Sequence, residues 1–272
     1  MNRLAVLGSP ISHSKSPLIQ RAAYAVLGLD WRYDAVEVTG ETLAGFLASC
    51  DETWRGLSLT MPLKRDVLPL LHRRAPLVDL VGGANTVLFT AEGLHGFNTD
   101  VYGVQRSFRE AGVESLGAVH VIGAGATAAS VIAGVAGLGA TRVGVSARTP
   151  EKARPLVALG EALGVAVSVV PWGVVGSVPD AVVSTLPGGQ YDLGFSEQVR
   201  SGSVLFDVAY DPWPSALASQ WTEAGGSVIP GIELLLNQAL GQVRIFVGGD
   251  PDAPLPNEDA VVAAMRASVW ED

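Results

Sequence analysis

Apolar residues in this chain gather in short runs separated by longer amphipathic segments, the alternation expected of strands joined by crossover helices. Eight runs read as strands: Leu4 to Leu7, Trp31 to Val38, Gly56 to Leu59, Val119 to Ile122, Arg142 to Ser146, Ala166 to Val170, Ala181 to Ser184 and Val204 to Val208. Ser16-Pro17 reads as a helix N-cap followed by proline at the first helical position, and that segment stops at Gly28, a suitable C-terminal cap. Asn98-Thr99-Asp100 likewise opens a helix toward Ala111-Gly112. The pattern predicts an α/β chain with a mostly parallel sheet.

At 272 residues, with 48% hydrophobic and 17% charged, the chain has enough apolar surface to offset its ordering entropy. Disorder and a small stapled scaffold are excluded, and the length predicts two domains or one large α/β unit. Met1 to Gly8 is too short for a signal-peptide core. The run from Ser115 to Thr141 has no formal charge apart from His120 if protonated, and is long enough to span a membrane, but Gly123-Ala124-Gly125 interrupts it. A strand, a turn and a buried helix account for it better, and the expectation is a soluble cytoplasmic protein. Cys50 is the only cysteine, so an internal disulfide, a Cys-based zinc site and an iron–sulfur cluster are excluded.

Net charge is −9, a field that repels nucleic acid and anionic membranes, so neither is expected as a partner. An anionic ligand needs a local positive site. The cations divide into fifteen arginines and three lysines, Lys15, Lys64 and Lys152. Arginine keeps its charge permanently, whereas lysine can release a proton, so each lysine in a polar loop is a candidate for acid–base work. Ordinary surface placement remains the alternative for each.

Val119 to Ile122 followed by Gly123-Ala124-Gly125-Ala126-Thr127-Ala128 is strand, glycine-rich turn and helix start, the G-x-G-x-x-A form of a dinucleotide-binding fingerprint. Gly123 can make the tight turn and Gly125 lets the backbone approach a pyrophosphate. Ala128 keeps helix and strand close, while the N–H groups of the helix start, from Ala124 through Ala126 and Thr127, bind the anion. A buried Gly/Ala turn without ligand would have the same composition. The next strand ends at Ser146-Ala147-Arg148-Thr149, where an NAD site would offer a carboxylate. Arg148, Thr149 and Lys152 offer cations and a hydroxyl instead, suited to the 2′-phosphate of NADP, unless they are plain surface charges.

Three polar clusters precede the fingerprint: Ser12-His13-Ser14-Lys15-Ser16-Pro17, Ser58-Leu59-Thr60-Met61-Pro62-Leu63-Lys64, and Asn85-Thr86 with Asn98-Thr99-Asp100. Ser184-Thr185-Leu186-Pro187, Asp207-Val208-Ala209-Tyr210-Asp211-Pro212 and Gly231 to Gln238 follow it. In order and approximate spacing these segments resemble the shikimate dehydrogenase family, whose hallmarks are SxSxSP, TxPxK, NT and NTD. The likeness covers nearly the whole chain. It implies a discontinuous α/β substrate domain, residues 1–100 plus 233–272, and a Rossmann-type NADP domain with a parallel sheet, residues 101–232, with the site in the cleft.

The resemblance also implies roles. Ser14 and Ser16 would bind the carboxylate of a small cyclic acid, although simple N-capping would also explain Ser16. Lys64 would be the catalytic acid/base and Asp100 its carboxylate partner. Thr60 and Asn85 would bond ring hydroxyls or hold Lys64, Gln238 would reach the same hydroxyls, and Tyr210 would lie near the substrate carboxylate. Val208 and Gly231 would line the nicotinamide, and Ser146 would join Arg148, Thr149 and Lys152 at the adenosine end. The implied reaction is reversible, NADPH-dependent reduction of 3-dehydroshikimate to shikimate by a monomer or homodimer.

The chain departs from the family at Ser146-Ala147-Arg148-Thr149, where Asn-Arg-Thr is frequent, at Ile232-Glu233-Leu234, where a Gly-Met pair is frequent, and at Ser184-Thr185-Leu186. None of these touches Lys64 or Asp100. His13, His72, His95 and His120 show no metal-ligand spacing, so no metal is expected, and the absence of a GxSxG elbow disfavours hydrolysis. Two alternatives stay open: a quinate/shikimate dehydrogenase using NAD, against which Ser16 and Arg148 argue, and a non-catalytic NADPH-binding sensor, against which Lys64 and Asp100 argue.

Overall fold

A computed structural model of the chain describes residues 1–188 and 193–270. It forms two compact units, one of Met1–Thr99 with the segment from Gln238 onward, the other of Asp100–Asn237.

The first unit holds β1 (Asn2–Gly8), β2 (Trp31–Glu37), β3 (Trp54–Leu59), β4 (Arg73–Arg74), β5 (Thr86–Thr90) and β6 (Gly93–Phe97), in the order β2-β1-β3-β5-β6-β4. Central β1 carries Leu4, Ala5, Val6 and Leu7, all buried, as a parallel strand covered on both faces requires. Strands β2, β1 and β3 pair in parallel, but β3 with β5 and β5 with β6 are antiparallel. Strand β4 pairs with β6 in parallel, so parallel pairs prevail in this sheet as expected, with one antiparallel hairpin added. In the β5–β6 hairpin, β5 (TVLFT) is rich in strand formers, whereas Gly93 and Gly96 give β6 a weak strand signal. Gly93 is needed at its turn: its φ is +104°, and a Cβ there would stand 2.6 Å from the His72 ring.

The helix expected to be capped by Ser16 runs Ser16–Val26 with Lys15 at the cap position and no side-chain cap bond. Ser14 Oγ instead accepts the Ser16 N–H at 3.3 Å, which shifts the start by one residue. Gly28, with φ +67°, follows the Leu27 cap.

The second unit holds β7 (Ala118–Ile122), β8 (Arg142–Ser146), β9 (Ala166–Val170), β10 (Ala181–Ser184), β11 (Val204–Asp207) and β12 (Val228–Pro230). Every pair is parallel, in the order β12-β11-β10-β7-β8-β9. This is the dinucleotide-binding sheet, whose strand order reverses between β7 and β10. The charge-free run resolves into β7, a turn and the helix Ala126–Ala136, and among the described residues no helix is long and apolar enough to cross a membrane. Strand β11 stops at Asp207, one residue short of the expected Val208, because the Asp207 carboxylate accepts the Ala209 N–H and turns the chain.

Candidate active site

In the first unit, Lys64 lies in the short helix Leu63–Asp66, half-buried, just beyond the end of β3. Gly8 lets this loop close on β1: a Cβ there would fall 2.4 Å from Thr60 Cγ2 and 2.9 Å from Met61 O. Thr60 N–H donates to Leu7 O at 2.9 Å and Ser9 N–H to Met61 O at 3.0 Å. The Lys64 carbonyl accepts the Ala84 N–H at 2.8 Å, so the lysine main chain is tied one residue away from Asn85.

Asn85 is 1% exposed. Its Oδ1 accepts from Thr99 N–H at 2.9 Å and from the Thr86 hydroxyl at 2.8 Å, while Nδ2 donates to Thr99 Oγ1 at 2.9 Å and to Gln238 Oε1 at 3.2 Å. Both amide protons thus have partners within the unit, which fixes the orientation of the Asn85 carboxamide. Gln238 is brought beside Asn85 from the helix Gly231–Gly248. Ser14 is half-buried and Ser16 buried at the start of their helix. Asn98, to which the sequence assigns no role of its own, donates to Gly83 O at 2.9 Å and fixes the NTD segment from behind.

In the second unit, Asp100 is the first residue of the helix Asp100–Glu110 and is 4% exposed. The glycine turn leaves β7 at the point where the strand order reverses, the expected mouth for a dinucleotide. Gly123 has φ +107°, and a Cβ on it would meet Thr185 Oγ1 at 2.3 Å. Thr185 donates both its N–H and its hydroxyl to Ile122 O at 2.8 Å, so this residue from the end of β10 underpins the turn. In the sequence the position is visible only as part of Ser184-Thr185-Leu186, with no role attached. At Gly125, the N-cap of Ala126–Ala136, a Cβ would meet nothing within 4 Å. The turn therefore presents bare backbone and helix-start N–H groups, including those of Ala124, Ala126 and Thr127, to open space.

Arg148, Thr149 and Lys152 are exposed at the end of β8 and in the following 3-10 turn. Among the described residues the side chains of Arg148 and Lys152 have no ion pair or hydrogen bond, and Glu151 between them pairs with neither. Two cations left without partners suit a dianionic phosphate. Ser146 is placed differently from the expected ligand contact. Its side chain is fully buried, its Oγ lies 3.0 Å from His120 Nε2, and its carbonyl accepts the Gly123 N–H at 2.8 Å. Ser146 holds the turn from within the sheet. Burial alone lowers the His120 pKa to about 4, so this histidine is neutral.

Tyr210 is half-buried after β11, with its hydroxyl pKa raised by burial and by Asp211. Val208 N–H donates to Ser184 O at 3.0 Å. A Cβ at Gly231 would lie 2.3 Å from Val208 O, so that glycine is required by the approach of two backbone segments. Buried Asp207, its pKa raised by burial, accepts from Ser215 Oγ at 2.5 Å and braces the same loop.

The reversed-order parallel sheet, the glycine turn at its switch point and a separate unit with a lysine beside a buried amide cluster define a dinucleotide-dependent dehydrogenase class. Residues 6–87 match the family model described as shikimate dehydrogenase substrate binding domain. The chain is 33% identical over 254 residues to the shikimate dehydrogenase (NADP(+)) of Methanococcoides burtonii, covering 91% of this chain and 93% of that relative. Shikimate dehydrogenase of Mycobacterium tuberculosis superposes with a TM-score of 0.87 at 37% identity, over 98% of this chain and 100% of the other. Shikimate 5-dehydrogenase of Thermus thermophilus, in complex with NADP(H) and shikimate, gives 0.83 at 28% identity, over 99% of this chain and 100% of the other. This chain belongs to the shikimate dehydrogenase family.

Proposed function

We propose that the chain catalyses the reversible NADPH-dependent reduction of 3-dehydroshikimate to shikimate in the cytoplasm. The observation that carries the reading is the combination, in one chain, of Lys64 and Asn85 on the segment matching a substrate-binding domain, Gln238 bonded to Asn85, and a glycine turn followed by two exposed cations that have no ion pair among the described residues. The two units take the corresponding roles, substrate binding for the first and NADP binding for the second.

When bound, the nicotinamide supplies the hydride that reduces the substrate ketone. Ser14 and Ser16 bind the ring carboxylate, with Tyr210 near it. Lys64 donates its ammonium proton to the carbonyl oxygen as that oxygen becomes a hydroxyl, and regains a proton from solvent; Asp100 is its carboxylate partner. Thr60, Asn85 and Gln238 orient the ring hydroxyls or Lys64. Ala124 to Thr127 hold the pyrophosphate with backbone N–H groups, Arg148, Thr149 and Lys152 hold the 2′-phosphate, and Val208 and Gly231 shape the nicotinamide pocket.

The test is absorbance at the NADPH band with shikimate or quinate, each supplied with NADP+ or NAD+. Fast reduction with shikimate and NADP+ is expected. Comparable quinate oxidation with NAD+ would assign a quinate/shikimate dehydrogenase, and inactivity with both acids would assign a non-catalytic NADPH-binding sensor.

A further inference from the structure

We propose that Gln242 is a positioning residue that, through Thr86, holds Asn85 and Gln238 in the orientation in which Gln238 serves a polyhydroxylated acid. The proposal rests on the reaction set out above. Gln242 follows Gln238 by one helical turn and is 1% exposed, and its carboxamide makes four hydrogen bonds. Its Oε1 accepts from Ser58 Oγ at 2.8 Å and from Gln20 Nε2 at 3.2 Å; its Nε2 donates to Asn85 O at 3.1 Å and to Thr86 Oγ1 at 3.2 Å. Gln20 is fixed in turn by Tyr24, whose hydroxyl donates to Gln20 Oε1 at 2.8 Å.

Main-chain groups set the polarity of this network, so the amide orientations follow from chemistry. Asn85 O can only accept, which places Gln242 Nε2 against it. Thr99 N–H can only donate, at 2.9 Å, which places Asn85 Oδ1 against it. Having accepted from Gln242, the Thr86 hydroxyl gives its one proton to Asn85 Oδ1 at 2.8 Å. Asn85 must then turn Nδ2 toward Gln238 Oε1, at 3.2 Å. Donation thus runs in one direction from Tyr24 to Gln238, and Gln238 is held by its carbonyl oxygen with its amide nitrogen at the other end. Replacing Gln242 by a hydrocarbon leaves Thr86 Oγ1 without its donor and Ser58 and Gln20 without their acceptor. Thr86 can then turn its proton elsewhere, and Asn85 loses one of the bonds that orient it.

The test is steady-state kinetics of Thr86→Val, Thr86→Ser and Gln242→Leu, with thermal unfolding of each. The KM for shikimate is expected to rise about tenfold in Thr86→Val and Gln242→Leu, with the KM for NADP+ within about twofold of the parent. Thr86→Ser, which keeps the hydroxyl, restores the parental value. Combining Thr86→Val with Gln242→Leu raises KM no further than the worse single change, because both break one path. If Thr86→Val lowers the melting temperature yet leaves the shikimate KM within about twofold, the network is only structural and the proposal is overturned. Thr86→Val decides the matter alone should Gln242→Leu fail to fold. Failure of the parent protein to oxidise shikimate would instead show that the reaction assignment is wrong, and the positioning role would fall with it.

Discussion

The two units solve their binding problems by opposite means. In the first, side chains hold side chains: Asn85, Thr86, Thr99, Gln238 and Gln242 are nearly inaccessible to solvent and bonded to one another. In the second, the glycine turn exposes backbone with only the Ala124 methyl between its two glycines, and Arg148 and Lys152 stand in solvent with no ion pair among the described residues. The difference follows from the ligands proposed for them. A small polyhydroxylated acid must be fixed to within a fraction of an ångström for proton transfer, which calls for preorganised, mutually satisfied groups. A long, highly charged dinucleotide is gripped at several places by N–H groups and long cationic side chains, so local imprecision is tolerated.

The contrast breaks most visibly at Lys64. Lys64→Ala is expected to lower kcat for shikimate oxidation about a hundred- to ten-thousand-fold, while the shikimate dissociation constant from calorimetry changes far less. Lys64→Arg is expected to be as inactive, since a guanidinium does not release a proton at neutral pH. Next in size is Gly123→Ala, which forces a side chain to φ +107° and to 2.3 Å from Thr185 Oγ1. That strain, about 1–3 kcal/mol, should raise the NADP+ dissociation constant about ten- to a hundredfold and leave shikimate binding as it was.

Arg148→Ala tests the 2′-phosphate assignment: the KM for NADP+ is expected to rise about tenfold and that for NAD+ to stay within about twofold. Equal changes for both cofactors would make Arg148 an ordinary surface charge.

The smallest effect concerns His120. Burial lowers its pKa from 6.5 to about 4, so an unfolded chain binds a proton in that interval that the folded chain does not. Stability from this residue is complete above about pH 6.5 and declines as pH falls toward about 4. The melting temperature of the parent should therefore drop more steeply over this interval than that of His120→Gln. Parallel curves would contradict the burial account.

The parts legible in the sequence are those whose signal is local. Strand β7 and its glycine turn are written in consecutive residues, and so are the lone cations at 148 and 152 and the rare lysine at 64. The buried amide network is not local, since Gln20 and Gln242 meet across 222 positions, and nothing in the neighbourhood of either predicts the other. The same limit explains why Thr185 beneath Gly123 carries no role in the sequence and why Ser146 reads there as a ligand contact. Only the sheet register shows that its side chain points inward to His120. The glycines of β6 weaken the strand signal of the antiparallel hairpin, and the Ser16 cap is displaced by one residue, with Lys15 at the cap position and Ser14 Oγ accepting the Ser16 N–H.

The most direct test of the division of labour is a crystal structure with NADP+ and shikimate bound. The account predicts the Lys64 ammonium within hydrogen-bonding distance of the hydroxyl that is oxidised, and the 2′-phosphate beside Arg148 and Lys152. A lysine remote from the substrate, or a phosphate seated elsewhere with both cations still in water, would contradict it.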